Sequence, residues 1–165
     1  MEKQIIYDKE CTRWGVFEAT VKGPKEGNPF TDQYVKGIFK GVQETVRCDG
    51  FYDGEGVYKV RFMPSWEGIY EFHIETGFGI CESGTFQVRA PEAGNHGPVR
   101  VAEKYHMKYD DGTPYYSIGT TCYVWHLQND EMIEKTLDTL ADSAFNKLRF
   151  CIFPKHYDYN LAEPR

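Results

Sequence analysis

The side chains of this 165-residue sequence that could act on a ligand gather in its last third. Trp125 and His126 are adjacent, Arg149 stands in an apolar stretch, and Lys155, His156 and Tyr157 follow within a few residues. An indole offers a flat apolar face, an imidazole bonds a hydroxyl, and a guanidinium forks onto a carboxylate. Each has a plainer reading. Trp125, His126 and the 155–157 segment could serve only packing or loop structure, and Arg149 a structural ion pair. General acid–base work would need carboxylates brought together. Glu131, Glu134 and Asp138 fall on a predicted helix, where Glu131 and Lys135 make an ordinary i,i+4 pair. Asp158 and Glu163 lie further on with nothing to pair them. No residue of this chain is therefore assigned a catalytic role.

Other chemistries lack their signatures. There is no phosphate-binding glycine loop, no nucleophile elbow and no His-Glu-x-x-His. Asp53-Gly54-Glu55 supplies too few oxygens for calcium and reads as a turn. Cys11, Cys48, Cys81, Cys122 and Cys151 are odd in number, widely spaced and without Cys-x-x-Cys. They indicate neither zinc nor a redox dithiol, and are expected as buried free thiols. No metal or cofactor is expected.

The elements that must position these side chains follow from the apolar pattern. Tyr115–Trp125 is a largely apolar run that suits a strand buried on both faces. Asn129 or Asp130 can cap a helix over 130–144, with Ile133, Leu137, Leu140, Ala141 and Ala144 on one side. Asp130 and Glu131 sit in its first turn, where the helix dipole favours them. Asn146–Phe153 is again an apolar strand. Strand, helix and strand with short links predict a βαβ unit with parallel strands. One helix and two strands cannot cover both faces of such a sheet, so the chain is expected to stop inside a domain. Upstream, Asp110-Asp111-Gly112-Thr113 between His106–Tyr109 and Pro114–Tyr116 signals a hairpin.

Residues 13–90 read differently. Arg13–Val21, Tyr34–Lys40, Glu44–Asp49 and Gly84–Arg89 are predicted strands, and 51–56 is predicted as a turn. In Val57–Phe62 and Ile69–Glu75 the apolar sets Tyr58, Val60, Phe62 and Tyr70, Phe72, Ile74 alternate with polar residues. A period of two marks a half-buried antiparallel strand. Six or seven short strands with regular turns predict an immunoglobulin-like antiparallel β-sandwich, so the chain as a whole is mainly β. Ala90–Pro98, rich in Gly and Pro, is the candidate boundary. The expected organisation is a sandwich over 1–90, a linker over 91–100 and a barrel fragment over 101–165. In the sandwich, Trp14, Trp66 and Tyr52 could form a stacking platform, although aromatic residues more often fill such cores. His96 is expected to fix the geometry of the junction.

A net charge of −6 opposes nucleic-acid binding, which needs a basic face, and weakly opposes an anionic membrane surface. No apolar stretch approaches a membrane span. The opening residues carry no signal-peptide core, which predicts a cytoplasmic protein.

Four segments carry a resemblance: Trp14–Glu18, Gly27–Asp32, Gly50–Gly54 and Tyr58–Pro64. Together they resemble a sandwich domain of formally unknown function that precedes bacterial glycoside hydrolase barrels. Asn95–Val101 is similar to that family's junction, and Tyr109–Tyr116 with Gly119–Thr121 to the entry of its first barrel strand. Phe145–Arg149 is similar to the second strand of cellulase-like retaining glycosidases. The resemblance implies a (β/α)8 barrel begun here as a partial βαβ unit. It also implies an enzyme about three times longer, with catalytic glutamates on the fourth and seventh barrel strands, neither of which this chain contains. Barrel substrates meet strand C-terminal ends. On that reading Trp125 stacks on a sugar, His126 bonds a hydroxyl, and Lys155, His156 and Tyr157 wall a subsite. The resemblance further implies that Arg149 orients a catalytic carboxylate. The expected partner is then a carbohydrate, an oligosaccharide or glycoside. Two other readings stay open: a non-catalytic carbohydrate-binding module, and a structural domain whose exposed partial barrel makes a homo-oligomer.

Overall fold

The computed structural model describes residues 5–152. The chain divides into two compact units that meet between Thr113 and Pro114.

The first unit is built on two facing sheets. One contains β1 (Ile5–Tyr7), β3 (Phe17–Lys22), β7 (Val57–Phe62) and β6 (Phe51–Gly54), in that order. The other runs β2 (Glu10–Thr12), β9 (Cys81–Arg89), β8 (Gly68–Thr76), β4 (Val35–Lys40) and β5 (Thr45–Asp49). Neighbours are antiparallel except β2 and β9, which are parallel. A short helix, α1 (Pro29–Asp32), lies between β3 and β4. Because β1 and β2 are separated by only two residues, the chain crosses from one sheet edge to the other there.

The alternation read from the sequence holds. Tyr58, Val60 and Phe62 of β7 are buried, as are Tyr70, Phe72 and Ile74 of β8 and Phe86 and Val88 of β9. They meet Phe17, Ala19 and Val21 of β3 in one core. Phe17 stacks on Phe86 at 3.9 Å between ring centroids, and Phe39 stacks on Phe62 at 4.5 Å. Offset and edge-on pairs of this kind add about 0.5–1.5 kcal/mol each beyond simple burial.

Two predicted boundaries are corrected. The strand expected from Arg13 begins only at Phe17. The Trp14 N–H donates to Pro64 O, Gly15 N–H donates to Thr12 O, and Trp14 takes a left-handed φ of 60°. Residues 51–54, expected as a turn, form β6. Phe51 and Tyr52 pair with Lys59 and Tyr58 across a bulge. The reversal falls instead on Gly54, Glu55 and Gly56, all at positive φ.

After β9 come β10 (Val99–Ala102) and β11 (His106–Tyr109), which pair antiparallel. The Asp-Gly turn that follows is as expected. Tyr109 N–H donates to Thr113 O, Asp111 Oδ1 accepts from Thr113 N–H, and Gly112 sits at φ 92°.

The second unit holds β12 (Pro114–Tyr115), β13 (Gly119–Thr121), a 3-10 turn (Trp125–Leu127), α2 (Asp130–Ala141) and β14 (Lys147–Arg149). β13 and β14 are parallel with α2 between them, the βαβ arrangement read from the sequence. Backbone bonds carry the pairing further: Asn146 N–H to Ile118 O, Cys122 N–H to Arg149 O, and Cys151 N–H to Tyr123 O. The Asn129 side chain caps α2 by accepting from Met132 N–H at 2.9 Å.

Here too the predicted spans shorten. Tyr115–Trp125 is not one strand, because the Asn146 side chain bonds Ile118 N–H and Tyr116 O where a ladder would continue. The helix ends at Ala141, three residues early, where the Ser143 hydroxyl and N–H both donate to Leu140 O. Ile133 and Leu140 are half-buried on α2, whereas Leu137 and Ala141 are exposed. No described residue after Val88 is fully buried. One parallel pair and one helix define no barrel.

Candidate functional site

In parallel sheets ligands are met at the carboxyl ends of the strands, where loops can converge without disturbing the ladder. At that end of β13 and β14 lie Tyr123, Trp125, His126, Arg149 and Phe150. Phe150 joins the two predicted aromatic contacts. Its ring is 5.2 Å from His126 and 6.1 Å from Trp125, both edge-on, while Trp125 and His126 are 5.9 Å apart. The 3-10 turn positions the pair: Leu127 N–H donates to Val124 O, and the Gln128 side chain reaches the same carbonyl. Trp125 and His126 thus stand on a tight turn past the strand, not in its final residues.

Two atoms at this end are unsatisfied. Trp125 Nε1 and His126 Nδ1 are buried with no hydrogen-bond partner among the described residues. A buried polar atom left unpaired costs about 1–3 kcal/mol, so each is suited to meet a polar group of a ligand or of further protein. Arg149 is exposed, with its guanidinium carbon 5.8 Å from the Tyr123 ring. It pairs with no carboxylate among the described residues. The structure therefore brings Trp125 and His126 together and adds Phe150 and Tyr123, which the sequence reading took for strand interior. Lys155, His156 and Tyr157 lie outside the described residues, as do Asp158 and Glu163.

The acids of α2 are disposed as expected. Glu131, Glu134 and Asp138 are exposed along the helix. On the side of α2 that faces the strands, Thr120, Cys122, Thr136, Leu140 and Phe145 line a groove of about 340 Å³.

In the first unit the aromatic trio separates. Tyr52 packs with Phe30 and Tyr58. Trp14 is 8% exposed and Trp66 42%, and both lie against the Arg13 guanidinium, at 4.1 and 5.4 Å. Asp53 belongs to β6 and bonds Lys59 at 2.8 Å, so the turn expected at Asp53-Gly54-Glu55 falls one residue later, on Gly54, Glu55 and Gly56. Among the described residues no cluster of three or more His, Cys, Asp or Glu side chains could hold a metal. His96 Nδ1 is 2.7 Å from Asp111 Oδ2, and that contact holds the Asp111 carboxyl below the usual carboxylate range. Asn95 donates to Trp14 O, and Gly97 lies so close to the Trp14 ring that a Cβ there would meet it at 2.6 Å. His96 thus sits in a segment pinned to the sandwich.

A sequence profile described as a domain of unknown function (DUF5060) matches residues 10–77, which run from β2 through β8. A crystal structure of a "putative glycoside hydrolase" from Bacteroides vulgatus is similar to this chain with a TM-score of 0.84 and 38% identity. The match covers 91% of this chain but 30% of that one, so the chain spans about a third of that protein's length. The Lin-41 filamin domain is 21% identical over 53% of this chain and 91% of its own, at a TM-score of 0.40 too low to bear on fold. No curated protein matches this chain.

Proposed function

We propose that this chain is the N-terminal part of a glycoside hydrolase that cleaves O-glycosidic bonds with retention. In this reading the sandwich braces a barrel whose first βαβ unit is β13–α2–β14, and the catalytic glutamates stand outside this chain. The observation that carries it is the 38% identity to a "putative glycoside hydrolase" over 91% of the chain. Retention requires two carboxyl groups about 5–5.5 Å apart across the scissile bond. The exposed acids of α2 offer no such pair facing the strand ends.

The residues present serve binding. Trp125 and Phe150 offer aromatic surface to the apolar face of a sugar ring, and Trp125 Nε1 and His126 Nδ1 engage hydroxyls. Arg149, free of a carboxylate among the described residues, orients a catalytic carboxylate supplied by the rest of the protein. The unsatisfied nitrogens at this end support the assignment. The test is hydrolysis of aryl glycosides by the gene product that carries this chain, beside its Trp125→Ala and His126→Ala variants. Losses of about 10–100-fold in kcat/KM are expected, the equivalent of about 1.4–2.7 kcal/mol each. Variants as active as the parent would remove Trp125 and His126 from the site.

One observation favours a second reading, a carbohydrate-binding sandwich. Trp66 is exposed beside Arg13, as a stacking platform requires. Calorimetry of this chain against an oligosaccharide panel separates the two. Binding lost with Trp66→Ala supports the module, and binding lost only with Trp125→Ala counts against it.

A further inference from the structure

Antiparallel pairing of β8 and β9 sets His73 opposite Ser83 and Glu75 opposite Cys81. The alternation that sends Phe72, Ile74 and Phe86 into the core turns His73, Cys81 and Ser83 to the solvent side. There Cys81 Sγ lies 3.5 Å from His73 Nε2, and His73 Nδ1 lies 2.9 Å from Ser83 Oγ. With Ser83 Oγ accepting from Nδ1–H, the Nε2 lone pair faces the thiol. Nucleophile, base and orienting hydroxyl stand in one row, the arrangement that activates a thiol. Beside them a groove of about 420 Å³, lined by Ile38, Lys40, Phe72, Gly84 and Thr85, leaves room for a small molecule.

From this geometry we infer that Cys81 is a modification site, which takes up a low-molecular-weight disulfide with His73 as the base. His73 Nε2 accepts the thiol proton and Cys81 Sγ attacks one sulfur of the disulfide R–S–S–R. A Cys81–S bond forms as the S–S bond breaks. The departing RS⁻ takes the proton from His73 and leaves as RSH. Cys81 is thereby oxidised to the mixed disulfide, the leaving sulfur is reduced to the thiol, and a reducing thiol reverses the exchange.

The charged groups on the same solvent-facing side are Glu10 of β2, Arg89 of β9, Glu71 and Glu75 of β8, Lys36 and Lys40 of β4, and Arg47 and Asp49 of β5. Glu75 lies directly across from Cys81, and Lys36 is the cross-strand neighbour of Glu75 on β4. The other described thiols are less open. Cys11, Cys48, Cys122 and Cys151 are half-buried, burial pushes the Cys11 thiol up to about 11, and burial raises Cys48 as well.

The test exposes the reduced full chain to oxidised glutathione and follows each mixed disulfide by peptide mapping. Cys81 is expected to react about tenfold faster than any other cysteine. His73→Gln, on the sheet surface, should slow Cys81 about fivefold or more and leave the circular dichroism unchanged. In His73→Gly, added free imidazole should restore the rate. A His73→Gln rate equal to the parent, or no rescue by imidazole, would leave exposure alone as the cause and overturn the inference. Faster modification at any other cysteine would overturn it as well.

Discussion

Glu44 sits in the turn between β4 and β5 and ties it to the turn between β7 and β8. Its Oε1 accepts from Tyr70 Oη at 2.5 Å and from Ser65 N–H at 2.8 Å. Tyr70 is 1% exposed, so its O–H loses its acceptor when the carboxylate is removed and only the backbone bond with Trp66 remains to its oxygen. The Ser65 N–H is only half-buried and can rehydrate in part. A hydrogen bond to a charged group is worth about 1.5–3 kcal/mol, and an orphaned buried hydroxyl costs about 1–3 kcal/mol. Counting the Tyr70 bond fully and the Ser65 bond in part, Glu44→Ala should cost about 2–4 kcal/mol. For a domain of this size that is a fall in Tm of roughly 10–25 °C. Glu44→Gln keeps an acceptor and should cost about 1 kcal/mol, as should Tyr70→Phe, which leaves the carboxylate to Ser65 and water. Chemical denaturation read by near-ultraviolet circular dichroism gives each value, and the Glu44→Ala/Tyr70→Phe cycle should return a coupling of about 1 kcal/mol or more. A Glu44→Ala cost under about 0.5 kcal/mol, or a Gln variant as unstable as the Ala, would refute the reasoning from buried hydrogen bonds.

Three further outcomes are expected. Gly84→Ala should destabilise by about 1–3 kcal/mol in denaturant titration, because its Cβ would meet Phe72 Cζ and Tyr7 Oη at 2.6 Å each. Burial, and for Tyr70 the Glu44 bond, raises the phenols of Tyr58 and Tyr70, and burial raises Cys11. Raised groups stabilise the fold below their unfolded values, so the urea midpoint should hold to about pH 8.5 and fall through pH 9–11. Tyr70→Phe should make that fall shallower. Glu18 is held below its ordinary value by hydrogen bonds from Arg61 and Lys59. Its contribution is present above about pH 4.5 and lost below it. Being partly exposed it contributes little, so Glu18→Gln should change the acid limb of the urea midpoint only slightly.

The sandwich was legible because its physics is local. A period of two in Val57–Phe62 and Ile69–Glu75 leaves one face for the core, and those side chains are the buried ones. The misplaced ends lie where tertiary bonds override pattern. Trp14 leaves β3 because Pro64 O, fifty residues away, takes its N–H. Phe51 and Tyr52 join a strand because β7 offers an edge. The short pieces β1 and β2 carry too few residues to show a period. Likewise Asn146, polar inside an apolar run, holds residues 116–118 through its side chain and breaks the expected long strand. At the candidate site, residue type pointed to Trp125 and His126. Their orphaned nitrogens and the Phe150 ring beside them depend on a turn that no pattern announces. The row Ser83–His73–Cys81 was hidden for a similar reason, since strand register, not sequence spacing, assembles it.

The proposal of a retaining hydrolase is tested most directly by proton nuclear magnetic resonance. The gene product that carries this chain is given aryl glycosides of several sugars, and the anomer first released is recorded. A first product with the substrate's own anomeric configuration, together with no turnover by the 165-residue chain alone, is the expected result. No cleavage of any glycoside by the gene product, or an inverted first anomer, would contradict it.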